Sequence, residues 1–184
     1  MTDNSSSRLT KADWLQAALK ILADAGIESV KIVPLAKQLG VTSGSFYWHF
    51  HNRPELYKAL LDYWEHEMTV KPLDAIKGFE GPPEERIWRL MEQVMDTGLA
   101  KYDIAVWHWA QFDSAAHEVF ARAMKKRFAF GTWMFEQVGF DRVQAEVRAR
   151  MMVIYMMGES TLLSRLSDRR KELLKLKYEI LIAS

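Results

Sequence analysis

Apolar residues recur every three to four positions along most of this 184-residue chain, the spacing of helices with one buried face. Thr10 stands before a run whose Trp14, Leu15, Ala18, Leu19 and Leu22 share one face, and Gly26 ends it. VKIVPLAKQLG reads as a short second helix, with Pro34 tolerable only in the first turn and Gly40 as its stop. Asn52 opens a longer helix through Leu56, Leu60, Leu61 and Trp64, expected to end before Pro72. Two glycines and two prolines in KGFEGPP, Lys77 to Pro83, break the pattern in mid-chain. Beyond the break the spacing predicts helices from Glu84 to about Lys101, around Val106 to Phe112, and from Ser114 to Val138. Asp141 caps a further helix to about Arg165, and Asp168 caps the last. Strand patterns are weak and no repeat is present, so the fold class is all-α, with about nine helices.

The stretch GVTSGSFYWHFHNRPEL, Gly40 to Leu56, places five large rings in a row. A helix turns about 100° per residue, so they cannot share one core. Phe46 and Phe50, four apart, face inward with Leu35, Ala36, Leu39 and Val41. Two short helices joined by a glycine turn, walled by the first helix, make a helix-turn-helix. Ser43, Ser45, Tyr47, Trp48 and His49 are left on the outer face. Hydroxyls there suit base edges or phosphates, a tyrosine hydroxyl and an imidazole can donate to phosphate, and Gly44 permits close approach. The competing reading is an amphipathic helix whose outward rings bind a protein.

LAKQLGVTSGSFYWHFHNRPELYKALL resembles the DNA-binding motif of the TetR family of transcriptional regulators, over about Thr10 to Trp64. The resemblance implies residues 1–51 as a tail and three-helix DNA-binding domain, and 52–184 as a larger helical ligand-binding and dimerisation domain, with helix 52–71 linking them. It implies Thr42 at the start of the recognition helix, meeting backbone or bases with Ser43, and Gly44 and Ser45 at base edges. Tyr47, His49, Lys31 and Arg53 would hold phosphates, with Trp48 at the groove edge or bracing the next helix. Ile32 and Val33 stand where a polar start of the second helix is common in the family, which puts base contacts from that helix in doubt. Arg8, in a Ser-rich tail, is a candidate for the minor groove.

The resemblance also implies a homodimer on a palindromic operator. In RVQAEVRARMMVIYMMGESTLLSRL, the stripe Ala145, Ala149, Met152, Met156 and Leu163 is expected at the dimer face, joined by Leu173, Leu176 and Ile180 of the last helix. A second stripe, Val147, Met151, Ile154 and Leu162, makes that helix apolar on two sides. For a small, largely apolar effector the candidates are Trp88, Met91, Met95, Trp107, Phe112, Phe128, Trp133, Tyr155 and Glu159. The function expected is a repressor of transcription, released when such a ligand alters the separation of the two recognition helices. The alternative is a DNA-binding or adaptor protein whose C-terminal domain binds a protein partner.

Composition trims the remaining classes. The chain is 49% hydrophobic and 27% charged, as in globular proteins. With no cysteine, disulfides, thiolate catalysis and cysteine zinc sites are excluded. A net charge of +1 argues against a DNA coat over the whole surface but not against one small basic face. His66, His108 and His117 lack ligand spacing, so no metal and no cofactor is expected. The absence of a phosphate loop or nucleophile elbow argues against an enzyme. The polar opening MTDNSSSR and the lack of a long apolar run point to a cytoplasmic protein without a membrane span.

Overall fold

The computed structural model describes residues 9–159 and 169–183. The expectations placed on Arg8, Leu162, Leu163 and Asp168 lie outside the described residues. Among those described, the elements are α1 (Lys11–Ala25), α2 (Ile32–Gln38), α3 (Arg53–Glu65), α4 (Lys71–Lys77), α5 (Pro83–Thr97), α6 (Ala100–Ala110), α7 (Ser114–Val138), α8 (Arg142–Gly158) and α9 (Arg170–Ile182), with no strand. The all-α class holds. Two compact units form, Met1–Tyr63 and Trp64–Ser184, so the division falls near the end of α3 rather than after His51.

The first unit is built on caps that the sequence supplies. Thr10 and Asp13 close a capping box at α1: the Asp13 N–H donates to Thr10 Oγ1 at 3.3 Å and the Thr10 N–H to Asp13 Oδ2 at 2.7 Å. At the far end of α2 the Val41 N–H reaches the Ala36 carbonyl and the Gly40 N–H that of Lys37, a Schellman motif. It needs Gly40 at φ 70°, where a side chain would be strained. The Glu55 N–H donates to Asn52 Oδ1 at 2.9 Å, capping α3. Trp14, Leu22, Leu35, Phe46, Phe50 and Leu56 fill the core.

In the second unit two helix boundaries differ from expectation. Gly98, in a left-handed conformation at φ 60°, ends α5 early, and α6 begins only two residues on. The helix opened by Asn52 does not stop before Pro72. It passes through a π-turn, His66–Val70, directly into α4, with Pro72 in that helix's first turn. Proline clashes with the carbonyl four residues back in a regular helix, and a π-turn just ahead of it opens that spacing.

The stripe expected at the dimer face is internal. Ala145, Ala149, Met152 and Met156 are at most 5% exposed and belong to one core with Ile87, Met91, Met134, Phe135, Leu174 and Leu181. Their small size serves an intrachain contact: a Cβ on Gly131 of α7 would stand 2.9 Å from that of Ala149. The opposite stripe of α8 is the outward one, with Val143, Val147, Met151 and Ile154 at 50–73% exposure. On α9, Leu174 and Leu181 are buried and Leu176 and Ile180 exposed, while Leu173 is half-buried. No described helix is long and apolar enough to cross a membrane.

Candidate nucleic-acid interface and internal cavity

The row of rings divides as its spacing requires. Phe46 and Phe50 are 0% and 1% exposed, stacked on each other at 5.2 Å, with Phe46 edge-on to Trp14 at 5.7 Å. Tyr47 and Trp48 are 60% and 77% exposed. His49 is half-buried, its ring 6.1 Å from that of Trp14. The segment that carries them, Ser43–Trp48, is a 3-10 helix rather than an α-helix. Two serines, a glycine and three aromatics in six residues all have modest helix propensity, and the tighter turn is set by the Ser45 N–H on the Thr42 carbonyl and the His49 N–H on that of Phe46.

Lys31, Thr42, Ser43 and Gly44 are exposed on the same unit, and Ser45 is half-buried with its hydroxyl 3.4 Å from that of Thr42. Gly44 has no positive φ, and a Cβ there would make only ordinary contact, 3.6 Å from Thr42 Oγ1. Nothing inside the chain requires glycine at this position. Arg53 is partly engaged within the unit: its Nε donates to the Tyr57 hydroxyl, its guanidinium lies over the Tyr57 ring, and Glu28 is 3.7 Å away. That hydroxyl in turn lies 3.2 Å from the carbonyls of Ile27 and Val30, tying α3 to the turn before α2. Burial pushes the Tyr57 hydroxyl above its ordinary pKa, and Arg53 opposes this. Tyr57 was not singled out from sequence, because a tyrosine at helical spacing reads as core.

The second unit encloses a mainly apolar cavity of about 70 Å³, lined by Met68, Pro72, Leu90, Val94, Met152 and Met156 among others. Of the nine effector candidates, Met91 alone lines it. Met95 is buried in the core. Trp88 packs edge-on to Tyr178 at 5.3 Å, Trp133 lies against Phe130, and Phe128 sits under Arg150. Trp107 and Phe112 are exposed, Tyr155 lies on the surface under the Lys177 ammonium, and Glu159 is buried and paired with Lys177.

One wall of the cavity is charged. Asp103 on α6 and Arg127 on α7, both nearly buried, form a two-pronged ion pair at 2.6 and 2.9 Å. The Trp64 indole donates to Asp103 Oδ1 at 3.1 Å, and Arg127 also donates to Thr69 Oγ1 and to the Met68 carbonyl, each at 2.9 Å. Arg127 thus serves the carbonyl four residues before Pro72, which has no N–H to give. The other end of the π-turn is held by Glu65, which accepts from Arg122 and from Lys126 of α7. The Arg122 bonds, then Lys126, hold the Glu65 carboxyl below its ordinary value against the opposing effect of burial. A sequence signal for Arg127 existed: it falls on the inward stripe of α7 with Met124, Gly131 and Met134, where a cation needs a partner.

Residues 15–60 match the family described as bacterial regulatory proteins of the tetR family. Among curated proteins, the chain is similar to the HTH-type transcriptional regulator AcrR of Shigella flexneri, 26% identical over 48% of this chain and 41% of that one. It is 40% identical to the HTH-type transcriptional regulator TtgR of Pseudomonas putida over 29% of this chain and 25% of that one. The matches thus span less than half the length of these relatives. A transcriptional regulator from Rhodococcus sp. Rha1 shares the fold at TM-score 0.70 and 19% identity, over 95% of this chain and 94% of that one. The structure of AibR in complex with isovaleryl coenzyme A and operator DNA does so at TM-score 0.68 and 18% identity, over 94% and 97%. The similarity to bacterial regulatory proteins of the tetR family thus lies in residues 15–60, the segment that carries the helix-turn-helix.

Proposed function

We propose that this protein is a DNA-binding transcriptional regulator, a cytoplasmic repressor that binds a palindromic operator as a homodimer and is released by a small, largely apolar effector. The observation that carries the reading is the outward display of Tyr47 and Trp48 beside Thr42, Ser43 and Gly44, on a segment pinned from behind by Phe46 and Phe50. Hydroxyls and a bare backbone on a fixed turn are what base edges and phosphates require. Lys31 adds an exposed cation to the same unit.

The dimer face of this reading lies on the exposed stripe Val143, Val147, Met151 and Ile154 of α8, with Leu176 and Ile180 of α9. Two helices of each copy then form a four-helix contact. The effector site is the cavity beside the π-turn. AibR supports the pairing of operator and small molecule by analogy of fold.

The test is selection of bound sites from random duplex DNA by the full chain, with its mass in solution measured alongside. A palindromic site bound by a dimer is the expected result. No enriched site from a folded protein at moderate salt would sink the proposal.

A further inference from the structure

The cavity's charged wall restricts what it can take. We infer that its occupant is an uncharged, mainly apolar molecule with one hydrogen-bonding end, selected by the closed Asp103–Arg127 pair. This inference rests on the reading of the cavity as an effector site.

The argument is one of charge and donor count. Asp103 Oδ1 accepts from Trp64 and from Arg127 Nη2, and Oδ2 accepts from Arg127 Nη1. Arg127 spends Nε on Thr69 and a further Nη2 hydrogen on the Met68 carbonyl. The two charges therefore compensate each other, and their hydrogen bonds are nearly filled. Among the described residues this leaves one Nη1 hydrogen and lone-pair capacity on Oδ2. A hydroxyl or a primary amide can use both at once, since it donates and accepts.

A charged ligand gains no such match. A carboxylate in this corner meets Asp103 at short range, with an arginine already committed to that residue. An ammonium meets the guanidinium in the same way. Either would be buried among Met68, Pro72, Leu90 and Val94 without a counter-charge of its own, which is costly in an apolar surround. Size narrows the class further. A water-sized group needs about 10–15 Å³, so about 70 Å³ holds a chain of roughly five to seven heavy atoms.

Titration calorimetry of the full chain with 1-hexanol, pentanoate and hexylammonium, matched in heavy-atom count, tests this. The expected order is 1-hexanol tighter than either ion by about tenfold or more. In Asp103→Asn the arginine loses its counter-charge, and pentanoate should gain at least about tenfold relative to 1-hexanol. Equal binding of all three, a preference for an ion, or no gain of pentanoate relative to 1-hexanol in a folded Asp103→Asn variant would each overturn the inference while leaving the cavity as an effector site. Binding of none of the three counts instead against the effector-site reading, and the inference falls with it. Should Asp103→Asn fail to fold, the order measured on the unaltered chain decides alone.

Discussion

Arg127 donates to the main-chain oxygen of Met68 at 2.9 Å, the carbonyl that Pro72 is unable to serve. The same guanidinium is forked onto Asp103, so one side chain stabilises a helix irregularity and neutralises a buried carboxylate. Arg127→Met removes both and leaves Asp103 buried without its cation. The expected loss is about 3–5 kcal/mol of unfolding free energy, read by denaturant titration. Arg127→Met combined with Asp103→Leu should recover much of it, because a pair removed together leaves no stranded charge. A double variant no more stable than the single one would contradict this account.

Gly44 separates a structural from a binding role within a single residue. Its backbone needs no glycine and its Cβ position is open, save for Thr42 Oγ1 at 3.6 Å. Gly44→Ala should change stability by no more than about 0.5 kcal/mol, yet weaken operator binding by about 1–3 kcal/mol, the scale of a lost base contact. Gly40→Ala should behave in the opposite sense: φ 70° makes it destabilising by about 1 kcal/mol or more. Thermal melts and DNA titrations on both variants give the contrast, and equal effects of the two on melting would remove it.

Lys31 and Tyr47 should differ in how salt modulates their loss. Lys31 is an exposed cation, so Lys31→Ala should weaken binding to all sequences and lower the salt slope by about one. Tyr47→Phe removes a neutral donor. It should weaken binding with the slope unchanged, since no counterion release is lost. Titrations at several salt concentrations check both, and a changed slope in Tyr47→Phe would mean that the hydroxyl does not act as a neutral phosphate donor.

The outward stripe of α8 gives a prediction about assembly. Met151 and Ile154 are 54% and 62% exposed, so Met151→Glu with Ile154→Glu should leave the chain's own core intact. Sedimentation should show a dimer for the unaltered chain and a folded monomer for the double variant. A dimer that survives the double substitution would place the contact elsewhere.

Much of the first unit was legible because its signals are local. Thr10 with Asp13, Gly40 after a short helix, and Phe46 four before Phe50 each act within a few positions of sequence. The cavity was not legible for the opposite reason. Asp103 and Arg127 are 24 positions apart, so although Arg127 falls on the inward stripe of α7, nothing local in the sequence names Asp103 as its partner. The aromatic supply misled in the same way, since Trp107 and Phe112 fall on an outward arc of the chain that spacing alone does not distinguish from an inward one. On α8, apolar stripes on two sides left the choice open, and the small residues that suggested a partner instead admit the close approach of Gly131.

Glu65 links the stability of the second unit to acid. Arg122 and Lys126 hold its carboxyl below its ordinary value of 4.5, so the folded state binds that proton more weakly than the unfolded chain does. Its contribution is therefore complete above the ordinary value and is lost as pH falls through the folded one. Glu65→Gln should cost about 1–2 kcal/mol at neutral pH, a figure kept low because Arg122 and Lys126 are half exposed to solvent. Other carboxylates titrate in the same range, so the useful quantity is the difference between the two proteins rather than either acid limb. Urea midpoints from pH 7 down to 3 should converge as the pH drops below the ordinary carboxylate range. A gap that stays constant over that range would mean that the ionised form of Glu65 is not what stabilises the turn.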